Sequence, residues 1–206
     1  MKRIRIIGLA LVAVFALAAV VASAASASTF KANPTSKKFP APIAGTGGEQ
    51  KFKAGFGTVT CKEAASTGSA LSGAEQTTIE KVEYKNGCKD TVGDSVAEPI
   101  VAEYELKAER NASKEGQLNI VNKPIVIKIG GFANCTITVL DNKEGQGVLA
   151  GLTYENSKAK TELTVKSKTT GIKQTGSGGF CTTGTGEYTG SVTGKLTGGG
   201  ELFWEE

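Results

Sequence analysis

Hydrophobic and polar residues alternate along most of this chain, which is the pattern of antiparallel strands with one buried face. In the segment 102–109, Ala, Tyr, Leu and Ala occupy the even positions, and Glu, Glu, Lys and Glu occupy the odd ones. The segments 81–85 and 162–166 alternate in the same way. Further strands are predicted at 125–129, 135–139 and 148–154.

Residues that favour turns separate these segments. The clearest turn sequences are Asn86-Gly87 and Gly130-Gly131, followed by 141–145 and 176–179. The segment 184–200 has glycine at seven of its seventeen positions, which is typical of a strand whose glycines allow bending or close approach. No ten-residue stretch carries a helical stripe. The pattern therefore predicts an all-β domain, an antiparallel β-sandwich of about ten short strands, with a partly open β-barrel as the alternative.

The first 27 residues differ from the rest of the chain. Basic residues at positions 2, 3 and 5 precede the apolar run 6–21, and Ala25-Ser26-Ala27 follows it. These are the three parts of a secretory signal peptide, with cleavage expected after Ala27 and with Ala24 as the second choice. An uncleaved membrane anchor is the alternative, although a spanning helix needs about 20 apolar residues. We assign residues 1–27 to a signal peptide, 28–37 to a flexible N-terminal tether and 38–206 to a single all-β domain.

Removal of the signal peptide changes the charge of the protein. It takes away three of the 24 basic residues and none of the 20 acidic ones, so the formal charge falls from +4 to +1. A nearly neutral domain with scattered lysines has no electrostatic footprint for nucleic acid or for an anionic bilayer. We expect a secreted or cell-envelope protein that binds no nucleic acid and does not insert into a membrane after cleavage. Its partner is unknown, with a cell-wall component or another protein as the possibilities.

Four cysteines, an even number in a chain expected to be exported, indicate two disulfide bonds. They are Cys61, Cys88, Cys135 and Cys181, and their positions alone leave all three connectivities open. A metal site is not expected, because no two of them stand at a short ligand spacing and the chain has no histidine.

The absence of histidine also limits the chemistry of an active site. It excludes Ser-His-Asp and Cys-His nucleophile pairs, zinc hydrolases with histidine ligands and histidine acid–base catalysis. A pair of carboxylates across a cleft would still be enough for glycosidase-type hydrolysis, and the chain has 17 Glu and three Asp. Most of these lie on predicted solvent faces, so we expect no catalytic residues, no cofactor and no enzymatic activity.

Three classes of function remain, in this order of preference. The first is a structural or interaction role at the cell surface, which needs no catalytic site. The second is the binding of a carbohydrate or small ligand on a sandwich face or at a barrel mouth, and the third is a carboxylate-based hydrolase. Contacts for the second class would come from the aromatic residues Tyr84, Tyr104, Tyr154, Tyr188 and Trp204. Their alternation mostly points inward, and a tyrosine that the core needs is not available to a ligand.

Several short motifs of small residues and cysteines follow one another between about Lys38 and Leu196. They are Phe39-Pro40-Ala41, Gly57-Thr58-Val59-Thr60-Cys61, Asn134-Cys135-Thr136-Ile137-Thr138-Val139, Leu152-Thr153-Tyr154, Thr170-Gly171-Ile172, Gly179-Phe180-Cys181 and Gly186-Glu187-Tyr188-Thr189-Gly190-Ser191. In this order they resemble a family of exported, β-rich, cysteine-containing proteins of unknown function that is abundant in soil actinobacteria. The resemblance implies a β-rich fold and a location outside the cytoplasm. It implies no reaction, because the family has no established activity.

The resemblance also implies a disulfide pairing. Members of the family often carry a further cysteine pair, at places that correspond to the strand around Tyr104 and to the residues just before position 124, and this chain has neither. Two cysteines that are absent together are most simply partners. The resemblance therefore implies that Cys61 pairs with Cys88 and that Cys135 pairs with Cys181. In the chain-entropy picture, loops of these lengths stabilise a fold by roughly 3.5 and 4 kcal/mol.

Overall fold

The computed structural model describes residues 28–75, 77–91, 93–111 and 113–206. The expected signal peptide lies outside these residues. Within these residues the chain forms fifteen strands and no helix. The described part of the chain therefore contains no helix that is long and apolar enough to cross a membrane. The strands are β1 (Thr29–Pro34), β2 (Ala41–Gly47), β3 (Gln50–Ala54), β4 (Gly57–Cys61), β5 (Glu63–Ala70), β6 (Ala74–Glu75), β7 (Thr77–Lys85), β8 (Ile100–Arg110), β9 (Gly116–Ile120), β10 (Ile125–Ile129), β11 (Cys135–Val139), β12 (Leu149–Asn156), β13 (Leu163–Ser177), β14 (Gly184–Leu196) and β15 (Gly200–Glu205).

Eight of the strands close into an antiparallel barrel. Around the barrel they follow the order β13, β12, β9, β8, β7, β5, β2 and β14, and the circle closes where β14 pairs with β13. Alternate side chains point into the barrel, as in β8, where Ala102, Leu106 and Ala108 are buried and the charged residues between them are more exposed. The main core is therefore the interior of the barrel.

A closed barrel corrects the expectation of a two-sheet sandwich and favours the barrel that the pattern also allowed. Side chains alternate with a period of two in both architectures, so the difference lies in which distant strands pair. The predicted strands themselves are present: 81–85 lies in β7, 102–109 in β8, and the glycine-rich segment contains all of β14.

Two hairpins extend the barrel at one end, which we call the hairpin end. The hairpin of β3 and β4 pairs with the first part of β14, and the hairpin of β10 and β11 pairs with the last part of β13. Single bridges join Thr60 to Lys89, Lys89 to Ser95 and Val96 to Ile129. The segment 88–96 thereby connects β4 to β10, so backbone pairing runs around this end as well.

A three-stranded sheet of β15, β1 and β6, the cap sheet, lies against the other end of the barrel. β1 pairs with β15 along its whole length, and Phe30 and Ala32 of β1 are buried in the core. The expectation of a flexible tether over residues 28–37 is therefore wrong for Thr29–Pro34. Its backbone is held by β15, and its apolar side chains alternate inward.

Replacing Phe30 by Ala tests whether the cap sheet is part of the cooperative fold. The Phe30 ring meets the Tyr154 ring edge-on with 5.2 Å between centroids, and Phe30 is only 6% exposed. We expect Phe30→Ala to lower the free energy of unfolding by about 3 kcal/mol. Lys31→Ala, a neighbour with a surface ion pair, should change it by less than about 1 kcal/mol. Urea denaturation measures both, and equal stabilities would mean that β1 behaves as a tether.

Both disulfide bonds form with the pairing that the resemblance implied, Cys61 with Cys88 and Cys135 with Cys181. The first joins the end of β4 to the segment 88–96, and the second joins the start of β11 to the loop between β13 and β14. Both therefore tie together the hairpin end of the barrel. Two disulfide bonds are consistent with an oxidising environment outside the cytoplasm.

Candidate functional site

The interior of the barrel contains a cavity of about 100 Å³. An eight-stranded barrel has room inside either for its own side chains or for one small ligand. The wall is mostly aliphatic and comes from strands all around the barrel, with Val82, Leu106, Ile120, Ile127, Leu152 and Val165 among its residues.

Three tyrosines from three strands meet at this cavity. The hydroxyl oxygens of Tyr84 on β7 and Tyr104 on β8 share a hydrogen bond at 2.7 Å, and the ring of Tyr188 on β14 meets the ring of Tyr84 edge-on at 6.0 Å. Burial raises the pKa of all three hydroxyls, that of Tyr104 to about 12, so they stay protonated near neutral pH. The Tyr84 hydroxyl also hydrogen-bonds that of Tyr188, so the three hydroxyls form one connected polar group at the cavity wall.

Gln50 of β3 holds the third tyrosine in place. Its Oε1 accepts a short hydrogen bond from the Tyr188 hydroxyl, and its Nε2 donates to the carbonyl oxygens of Gly48 at 3.0 Å and Ser191 at 2.9 Å. Gly190 allows this arrangement, because a Cβ at that position would collide with the Gln50 amide and the Tyr188 hydroxyl. These contacts therefore fix the position of the Tyr188 side chain at the cavity wall.

Glu80 is the one carboxyl group at the wall of this cavity among the described residues. It stands opposite Tyr104 in the register of β7 and β8, and it also lines a smaller cavity of about 30 Å³ beneath the cap sheet. Within the described part of the chain its carboxyl makes no hydrogen bond and no ion pair. Burial raises its pKa to about 7, because the charged form loses its hydration.

The raised pKa of Glu80 makes the stability of the fold depend on pH. Between its ordinary value of 4.5 and about 7, the native state keeps a proton that the unfolded chain has lost. Stability therefore falls as pH rises through this window and stays lower above it. We expect Glu80→Gln to match the wild type at pH 4 and to be more stable by about 3 kcal/mol at pH 8. Chemical denaturation at the two pH values measures this change.

Glu83→Gln on the same strand is the matched control. The Glu83 carboxylate accepts a hydrogen bond from Lys81 in solvent, and this contact lowers its pKa. Loss of the Glu83 carboxylate changes the free energy of unfolding in the opposite direction, so Glu83→Gln should not be more stable than the wild type at pH 8. If Glu80→Gln also gained none, the Glu80 carboxyl would have to be hydrated rather than buried in the barrel.

Two of the five aromatic residues considered as ligand contacts lie away from the cavity. Tyr154 donates its hydroxyl to the Lys107 carbonyl oxygen at 2.7 Å. The Trp204 ring lies 5.7 Å from the Tyr154 ring, and the Arg110 guanidinium sits 4.2 Å from its centroid. These contacts join the cap sheet to the barrel. The structure thus brings the other three tyrosines together and leaves these two outside the cavity.

Inward orientation does not exclude ligand contact in this fold. Tyr104 and Tyr188 face the barrel interior and line the cavity, yet part of their surface remains accessible. An inward tyrosine serves only the core in a filled sandwich, whereas in a barrel with internal space it can also contact a ligand. Glu80 could also have been found from the sequence, because the alternation that places Val82 and Tyr84 inward places Glu80 inward too.

Two exposed phenylalanine side chains form a pair at the hairpin end that the sequence analysis did not predict. Phe132 is 78% exposed and Phe180 is 60% exposed, and their rings stack with 5.3 Å between centroids. Each follows two glycines, and the Cys135–Cys181 bond holds the two loops side by side. The repeated Gly-Gly-Phe motif was the available signal, but the motif alone does not show that its two copies meet.

Two carboxylates line a surface depression of about 520 Å³ beside the loop between β5 and β6. Glu75 accepts a hydrogen bond from the Ser72 backbone N–H at 2.7 Å, and Glu105 accepts one from the Asn119 amide at 2.6 Å. Both groups therefore hold neighbouring parts of the fold in place. The hydrolase hypothesis has its candidate acids here, and it stays a prediction.

Comparisons with protein-family models, with curated proteins and with solved structures find no match to this chain. Among the described residues, no three cysteine, aspartate or glutamate side chains come together in a way that could hold a metal ion. The barrel cavity and the exposed phenylalanine pair are therefore the two features on which a function can be argued.

Proposed function

We propose that the domain is an exported, non-catalytic binding module that takes a small, mainly apolar ligand into its barrel. The cavity supports this most directly, because it combines an aliphatic wall with a cluster of tyrosine hydroxyls and a carboxyl group that has no hydrogen bond or ion pair among the described residues. Voids in a packed core cost stability. An apolar space with a few convergent polar groups is the usual form of a small-ligand site.

The volume of the cavity limits the size of the ligand. An apolar cavity of about 150 Å³ binds benzene, so a cavity of about 100 Å³ accepts a molecule of about four non-hydrogen atoms without rearrangement. A sugar ring is too large for this space. The proposal therefore narrows the earlier hypothesis from carbohydrate or small ligand to small ligand.

Titration of the exported protein with propan-2-ol, followed by two-dimensional NMR, tests this proposal. Small ligands gain at most about 1.5 kcal/mol per non-hydrogen atom, so the dissociation constant for a molecule of about four atoms is tens of micromolar at best. We expect saturable chemical-shift changes, at millimolar alcohol, confined to the residues that line the cavity. Small linear changes spread over the whole surface would contradict a site in the barrel.

Substitutions of Val165, a half-buried residue of the cavity wall, control for binding elsewhere. Val165→Phe fills the cavity and should abolish the saturable changes, whereas Val165→Ala enlarges it and should admit larger alcohols. Circular dichroism verifies that both variants fold. Wild-type binding by both variants would place the bound alcohol outside the barrel.

A second candidate function, an interaction role at the cell surface, is supported by the pair of Phe132 and Phe180. Exposed aromatic side chains are enriched where proteins bind partners, because they bury a large area at a low entropy cost. This pair is held by a disulfide bond and does not depend on the cavity. The two functions can therefore be tested separately.

Replacing both Phe132 and Phe180 by Ser tests the interaction role. Because both side chains are exposed, the double variant should unfold with the same free energy as the wild type to within about 0.5 kcal/mol. We expect less of it than of the wild type in the cell-envelope fraction after export. Leu71→Ser, at a single residue that is 70% exposed, is the control. Equal retention of the three proteins would rule out a role for the pair in retention.

A further inference from the structure

Among the described residues, no cationic group pairs with the Glu80 carboxyl. Basic residues do line the two cavities next to it or flank Tyr154, but each of them lies against a carboxylate nearer the surface. These pairs are Lys31 with Glu205 at 3.7 Å, Lys51 with Glu49 at 2.6 Å and Arg110 with Glu206 at 2.6 Å. A buried carboxylate without a partner is costly, and a cation held beside it offsets that cost.

Building on the cavity function proposed above, we infer that the ligand is a small alkylammonium ion. Its ammonium group pairs with Glu80, and its alkyl part lies against the aliphatic wall. Tyr104 stands across from Glu80 in the register of β7 and β8 and lines the same cavity, so its ring is part of the wall that the ligand contacts. The tyrosine rings that line the cavity add surface that attracts cations.

Other small ligands fit this site less well. An anion would be repelled by Glu80. A neutral apolar molecule would leave the carboxylate unpaired, so it would have to bind with Glu80 protonated. An alkylammonium ion satisfies the carboxylate and fills the apolar space with one molecule of about four non-hydrogen atoms, the size that the volume allows.

The ionisation of Glu80 gives this binding a characteristic pH dependence. Only the charged carboxylate forms the ion pair, so with a pKa of about 7 the affinity for an alkylammonium ion should rise about tenfold from pH 6 to pH 8. The two cavities that Glu80 lines contain other titratable or charged groups, which among the described residues are Tyr84, Tyr104, Tyr188, Lys51, Lys31 and Glu75. Tyr154 also interacts with the Glu80 charge. Burial raises the pKa of all four tyrosines, so they do not titrate in this range.

The test compares isopropylammonium chloride with propan-2-ol, which has the same shape and no charge, in NMR titrations of the exported protein at pH 6 and pH 8. At pH 8 we expect isopropylammonium to bind at least tenfold more tightly than the alcohol. Glu80→Gln should abolish this preference and keep alcohol binding. Glu75→Gln is the control, because Glu75 lines only the smaller cavity beneath the cap sheet and the surface depression. This variant should keep both the preference for isopropylammonium and its pH dependence.

The outcomes separate this inference from the proposed function. If both compounds bind with equal affinity, or if the preference survives in Glu80→Gln, the alkylammonium assignment is wrong and the cavity function stands. If neither compound shifts the resonances of the cavity wall, both are wrong. The pH dependence measured on the wild type decides the point even if Glu80→Gln does not fold, since constant affinity between pH 6 and pH 8 would overturn the ion pair.

Discussion

Tyr104→Asp should unfold the protein or cost more than about 4 kcal/mol of stability. The substitution removes the ring from the cavity wall and the hydrogen bond to Tyr84, and it places a second carboxyl group directly opposite Glu80 in the same apolar space. Burying an unpaired charge is one of the few single changes with so large an effect. Since folded domains are stable by only about 5 to 15 kcal/mol, most or all of the native population would be lost. Urea denaturation followed by circular dichroism measures the change.

Two control variants separate this effect from simpler causes. Tyr104→Phe keeps the ring and removes only the hydroxyl, so it should cost about 1 to 2 kcal/mol. Glu109→Lys changes an exposed residue of the same strand and should stay within about 0.5 kcal/mol. A Tyr104→Asp protein with wild-type stability would show that the side chain faces solvent and that the inside and outside of β8 are reversed.

Removal of the Cys135–Cys181 bond by a double replacement with Ala should lower the free energy of unfolding by about 4 kcal/mol. The two cysteines are 46 residues apart, and a cross-link over a loop of this length removes much of the entropy of the unfolded chain. The same change at Cys61 and Cys88, 27 residues apart, should cost about half a kcal/mol less. Guanidinium denaturation of the two double variants measures both effects.

The wild type with reduced disulfide bonds provides the comparison for these variants. Its stability should lie below that of either double variant, because it has lost both cross-links. A loss of less than about 1 kcal/mol in the Cys135 and Cys181 variant would mean that the pairing of β11 with β13 holds the hairpin end without help. The stacked phenylalanine pair would then also not depend on the disulfide bond.

The local part of the fold could be read from the sequence because it depends on neighbouring residues. Alternation placed Ala102, Leu106 and Ala108 inside, and turn residues such as Asn86 and Gly87 marked a strand end. Both follow from the two-residue period of a strand and from the conformations that glycine and asparagine tolerate. β1 was missed because its apolar positions are few and lie directly after the expected cleavage site.

The closure of the barrel could not be read from the sequence. It depends on the pairing of β14 with β13 and with β2, and β2 and β14 are separated by most of the chain. A period of two is compatible with either partner for each strand. Only the sum of these long-range pairings distinguishes a closed barrel from two packed sheets.

The candidate site was predicted in part. Tyr84, Tyr104 and Tyr188 were identified as inward aromatic residues, but alternation does not show whether the space they face is filled. The cavity is lined by side chains from strands far apart in the sequence, and which of them meet there depends on the register between strands. Glu80 was not predicted as a site residue, because a glutamate in an alternating strand is normally assigned to the solvent face.

The pairing of β1 with β15 bears on the order of events during the export that we propose. Thr29 lies opposite Glu205, so the cap sheet cannot form until nearly all of the chain is available, and closure of the barrel likewise waits for β14. Contacts between such distant segments are slow to form. In a chain that crosses a membrane with its N-terminal part first, the cap sheet and the closed barrel would therefore form only after the last strands have crossed.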